Sequence, residues 1–128
     1  MKKNYAIGAL ICLISVVFLS ACSKNDNPSS KTVKYEVTGN FTGKLLIVYS
    51  DNINGNTTVT DATLPWSKEV TYGTNVLAIG ISGNASTVGV AGQTATLKIH
   101  VNGQVVKSQT ATAGSLGELA LPSLSYTF

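Results

Sequence analysis

Thr96-Leu97-Lys98-Ile99-His100-Val101-Asn102-Gly103-Gln104-Val105-Val106-Lys107-Ser108 carries the clearest structural signal in the chain. Leu97, Ile99 and Val101 alternate with Lys98 and His100, the period of a strand with one buried face. Asn102-Gly103 then separates it from a second apolar run. A two-residue type I′ turn needs positive φ at both central positions, which Asn and Gly accept at least cost. The stretch therefore predicts a tight β-hairpin.

The same period extends upstream. Val33, Tyr35 and Val37 alternate with Thr32, Lys34, Glu36 and Thr38, and Gly39 ends that strand. Lys44 to Tyr49 is a continuous apolar run and predicts a central strand covered on both faces. Asp51 to Asn56 is a turn cluster, and Thr57 to Thr60 a short polar edge strand. Pro65 cannot donate to a ladder, so Leu64 to Val70 reads as a strand start or an edge. Val76 to Ile81 predicts a strand stopped by Ser82-Gly83-Asn84. Residues 84–93 read as a loop with a short strand at Val88–Ala91, and Ala111 to Gly117 as a small-residue loop. Leu119 to Phe128 closes the chain as a Pro-broken strand with Leu124, Tyr126 and Phe128 on one face. No useful helical period follows residue 22. The expectation is all-β: an antiparallel, immunoglobulin-like β-sandwich of about seven strands over residues 32–128.

The N-terminus has a different logic. Lys2 and Lys3 precede an apolar run from Ala6 to Ala21, 16 residues long, which ends in Leu19-Ser20-Ala21-Cys22. Two small residues before a cysteine, after a basic flank and a short apolar core, resemble a bacterial lipoprotein signal with its lipobox. Residues 1–21 are thus expected to be a cleaved signal peptide, and Cys22 the lipidation site. An uncleaved transmembrane helix is the competing reading, but the run is short for a span. Ser23 to Ser30 is small, polar and holds a Pro, so residues 22–31 are expected to be a lipidated Cys and a flexible tether. Such an anchor places the domain on an envelope membrane, with the outer membrane expected. Lys24-Asn25-Asp26 only faintly resembles the export signals of surface lipoproteins.

Composition narrows the function. The 9 Lys and 6 acids give +3, and loss of Lys2 and Lys3 leaves 7 − 6 = +1. There is no Arg, the residue best suited to bidentate phosphate and base contacts, so nucleic acid is not an expected partner. Cys22 is the one cysteine left after processing, so no internal disulfide is expected. His100 is the single His, on the polar face of its strand and expected to be solvated; a metal site wants several His, Cys or clustered acids. The acids are scattered, and no G-x-S-x-G elbow or phosphate loop occurs. No catalytic residue, cofactor or metal is expected, and the chain reads as a non-enzyme. Trp66, the only Trp, reads first as a core plug and second as a weak partner contact.

One ordered set of motifs goes further. It comprises Tyr35-Glu36-Val37-Thr38-Gly39, Val48-Tyr49, Gly55-Asn56-Thr57, Leu64-Pro65-Trp66-Ser67-Lys68, Leu77-Ala78 and Lys98 through Val106. The set resembles the MmpS family of small mycobacterial-type membrane proteins, from about Val33 to Tyr126. The resemblance implies a β-sandwich outside a cytoplasmic membrane and an accessory role beside RND-type MmpL transporters that export siderophores and lipids. It brings no catalytic residues. This chain departs from it in having a lipobox where relatives carry a transmembrane anchor. It also has Leu97 where many relatives have a cysteine paired with one near the C-terminus. The leading expectation is an accessory partner of a membrane transporter. The other is a surface-exposed lipoprotein that binds an extracellular ligand such as a glycan or host protein.

Overall fold

The computed structural model describes residues 30–128. Cys22, the signal-peptide reading and most of the tether lie outside those residues. Eight strands follow in order: β1 (Lys31–Gly39), β2 (Leu45–Asp51), β3 (Gly55–Ala62), β4 (Trp66–Tyr72), β5 (Ala78–Ala85), β6 (Thr94–Val101), β7 (Gln104–Thr112) and β8 (Ala120–Thr127). They form two four-stranded antiparallel sheets, ordered β4-β1-β6-β7 and β3-β2-β5-β8. The expected all-β sandwich is the observed fold, with eight strands where about seven were expected.

Periodicity explains the layers. Val33, Tyr35 and Val37 of β1 and Leu97 and Ile99 of β6 are fully buried. From the other sheet, Leu45, Ile47 and Tyr49 of β2 and Ile79 and Ile81 of β5 close on them. Burying these faces removes apolar area from water at roughly 25 cal/mol per Å². The two central pairs, β1/β6 and β2/β5, hold the core, while β3 and β4 lie at edges as Thr57–Thr60 and Pro65 predict. At the hairpin Val101 pairs with Gln104, with φ of 49° at Asn102 and 83° at Gly103, both positive as a type I′ turn requires.

Several expectations fail, each for a non-local reason. β2 is buried on one face only: Leu46 and Val48 point outward and stay half-exposed, because no layer covers the outside of that sheet. Ser82-Gly83-Asn84 does not stop β5, which continues through it to Ala85. Gly83 is there for close approach, since a β-carbon would lie 2.9 Å from the Leu46 carbonyl oxygen and 3.3 Å from Leu121 Cδ1. β7 continues to Thr112, into the stretch that reads as a loop. Val88–Ala91 forms no strand.

The connections sort by end. Four sheet-crossing loops, residues 40–44, 63–65, 86–93 and 113–119, share one end. The other end holds the turns at 52–54 and 102–103, the 73–77 loop, the chain's entry at Lys31 and its exit at Phe128. A nine-residue strand such as β1 separates the two ends by about 30 Å.

Candidate docking surfaces

At the end far from the chain's entry, the 86–93 and 113–119 loops are bonded to each other. Gly89 N–H donates to Gly117 O at 2.8 Å, Gly92 N–H to Ala113 O at 3.0 Å, and Ala113 N–H to Gln93 O at 2.7 Å. Gln93 is the hub. Its Oε1 accepts from Thr42 N–H, Thr42 Oγ1 and Val90 N–H at 2.9–3.0 Å, tying the 40–44 loop to the other two. Beneath them Phe41 is 3% exposed. A β-carbon on Gly89 would lie 2.5 Å from the Phe41 ring, so the ring is roofed by bare backbone.

This scaffold holds apolar side chains in water. Val88, Val90 and Leu116 are 67%, 61% and 81% exposed. They flank the Gly89–Gly117 bond, and Glu118, whose Oε2 accepts from Leu116 N–H at 3.0 Å, supplies a charged rim. Exposed apolar residues on fixed backbone inside a polar rim are the anatomy of a protein–protein contact. The amino-acid order gave only a faint sign of it: Val88, Val90 and Leu116 are apolar residues inside Gly/Ser-rich loops, where burial has no periodicity to report.

The second feature is a shallow hollow of about 250 Å³ on the outer face of the β3-β2-β5-β8 sheet. Ser50, Ser82, Ser123, Ser125 and Asn56 ring it, and Gly80 lies in its floor. Val48, Ile81 and Leu124 complete the lining, so hydroxyls and an amide edge a largely apolar hollow that holds no charged group. The third is polar. On the outside of the other sheet Glu36 receives Lys34 Nζ at 2.7 Å and His100 Nε2 at 3.2 Å, with Lys98 Nζ 3.7 Å away. The bond from Lys34, joined by the one to His100, holds the Glu36 carboxyl below its usual range. His100 is therefore not freely solvated as its strand period suggests; its side chain is 16% exposed against a neighbour from β1.

Trp66 begins β4 opposite Val37 and is half-buried. Its ring lies 5.9 Å from Tyr49, which lies 5.4 Å from Tyr35. The Tyr35 hydroxyl meets that of Tyr72 at 2.8 Å, and Tyr72 packs on Phe128 at 6.3 Å. Trp66 is thus the outer member of an aromatic series through the core rather than a plug at its centre. Burial pushes the Tyr35 phenol well above its ordinary range and the Tyr72 phenol up as well. Among the described residues, no group of three His, Cys, Asp or Glu is placed to hold a metal ion, and no helix is long and apolar enough to cross a membrane.

Fold and surface together define a small two-sheet β-sandwich with exposed apolar side chains on its end loops and a shallow hollow on one outer face. The family model described as Mycobacterium membrane protein matches residues 15–116, most of the chain. The chain belongs to this family of MmpS-type membrane proteins. The match starts within the N-terminal apolar run and stops before β8. No curated protein matches the chain.

Proposed function

We propose that this chain is a lipid-anchored envelope protein. In this reading residues 1–21 are a lipoprotein signal peptide, Cys22 carries the lipid, residues 22–31 are the tether, and the 32–128 sandwich is a non-catalytic docking module. Its partner is a membrane transporter or another integral envelope protein, as the MmpS resemblance implies, and the outer membrane is the expected address. The observation that supports the docking role best is the Val88/Val90/Leu116 crown on a loop scaffold braced by Gln93 and Phe41. The crown is at the end opposite Lys31, so the partner must project about 30 Å or more beyond the bilayer. Trp66, at the edge of the sandwich, is a secondary contact. The test is crosslinking in intact cells from a photoreactive side chain at Ser115, followed by purification. An envelope membrane protein should be captured, and Val90→Ser with Leu116→Ser should lower its recovery about tenfold, the worth of roughly 1.4 kcal/mol. Unchanged recovery in the double variant would reject the crown as the docking site.

A second reading draws on the serine-ringed hollow: a surface-exposed lipoprotein that binds an extracellular ligand such as a glycan or host protein. Hydroxyls and an amide around a shallow floor suit a polar ligand. Protease treatment of intact cells decides it, because a fully protected domain cannot be outside the cell.

A further inference from the structure

The end of the sandwich where the chain enters also carries exposed apolar side chains. Ile53, in the β2–β3 turn, is 82% exposed and Leu77, in the β4–β5 loop, is 73% exposed. Both turns are fixed. Asn52 Nδ2 donates to Thr71 O at 2.7 Å, which ties the β2–β3 turn to the end of β4. Phe128 N–H donates to Leu77 O at 2.9 Å, and Lys31 Nζ donates to Val76 O at 2.8 Å while sitting 4.2 Å from the centre of the Phe128 ring. Lys31 is the first residue of β1, so the N-terminal segment and these two side chains share one end of the molecule.

We propose that this end rests on the bilayer, with Ile53 and Leu77 dipping into its interfacial layer. The inference rests on the lipid anchor at Cys22. Residues 23–30 are eight in number and span at most about 28 Å when fully extended, which confines the entry end to the membrane's vicinity whatever the tether does. Among the described residues, Ile53 and Leu77 are the large apolar side chains that stand furthest into water at that end, with Val105 at 53% just past the 102–103 turn. Asn52, Asn54, Thr74 and Asn75 beside them are uncharged, and the charges closest by are already engaged: Asp51 accepts from Ile53 N–H at 3.3 Å and Thr57 Oγ1 at 2.9 Å, and Lys31 donates to Val76 O. Two apolar points on separate loops, one the β2–β3 turn and the other the crossing from β4 to β5, act as two feet. They fix the tilt of the sandwich and so hold the Val88/Val90/Leu116 crown outward, at a set height. One acyl-anchored point alone would leave the domain free to swing.

The test uses the full-length acylated protein in vesicles of phosphatidylethanolamine and phosphatidylglycerol. An environment-sensitive fluorophore is placed through Asn54→Cys, through Thr74→Cys or, at the opposite end, through Ser115→Cys. The labels at 54 and 74 should shift to the blue and be quenched severalfold more by nitroxide-bearing lipids than the label at 115. Adding Ile53→Ser and Leu77→Ser should abolish that difference while the protein still floats with the vesicles. Protein that floats with all three labels equally exposed to water overturns the seating and leaves the anchor standing. Protein that fails to float overturns the anchor, and the seating with it.

Discussion

Tyr72 shows how one buried atom sets a pH limit on the whole domain. Its hydroxyl proton goes to the Ser50 carbonyl, so the Tyr35 hydroxyl must donate to Tyr72. Both phenols are kept neutral by burial, and their folded values lie above the ordinary 10.0. The sign follows directly. Below about pH 10 both states hold the protons and the contribution is complete; above it the unfolded chain releases protons that the folded chain keeps, so stability falls as pH rises. Urea unfolding followed across the alkaline range should show a decline that Tyr35→Phe makes shallower. At neutral pH that variant should cost only about 1 kcal/mol, because Tyr72 keeps its bond to Ser50, whereas Tyr72→Phe should cost more, since it removes both the bond to the Ser50 carbonyl and the partner of the buried Tyr35 hydroxyl. Trp66, being half-buried at an edge, should cost about 2 kcal/mol on change to Ala, below the ~3–5 of a fully buried ring. A thermal melt that does not move would return Trp66 to the role of an exposed contact.

The strands differ in how far they could be read in advance. The turn of the β6–β7 hairpin and the inward face of β6 were legible, since Asn102-Gly103 dictates its own turn and Leu97 and Ile99 alternate with polar residues, but the register shift at Ile99/His100 and the run of β7 to Thr112 were not. Two of the four edges were legible too, from the Thr-rich β3 and from Pro65 ahead of β4, while nothing in β7 or β8 marked them as the other two. β5 was misread because glycine has two uses. It permits a turn, or it permits a neighbour to come close, and nothing adjacent to Gly83 in the chain says that Leu46 and Leu121 crowd it. Gly83→Ala should therefore destabilise the domain by about 1–3 kcal/mol, the range of an overpacked core. Chemical denaturation would measure it, and a change below about 0.5 kcal/mol would show that β2 and β5 can part without cost.

The molecule as a whole has polarity: the chain enters at one end, and four crossing loops gather at the other. Membrane retention should depend on Cys22, because each buried CH₂ of an acyl chain contributes about 0.8 kcal/mol and two or more chains exceed what Ile53 and Leu77 can supply. Cys22→Ser should release the protein to the soluble fraction or leave it as an unprocessed precursor, as membrane fractionation and intact mass would show. Unchanged mass and retention in that variant would reject the lipid anchor.

Residue order alone determined the class of fold, because a strand's alternation is written in neighbours two apart and an Asn-Gly turn in neighbours one apart. It likewise sufficed for the family's motifs. Only the tertiary structure decided which apolar residues stay in water. Val33 and Val88 are the same side chain, one at 0% and the other at 67% exposure. The difference lies in whether a second sheet arrives to cover them, and that is set by pairings between residues far apart in the chain.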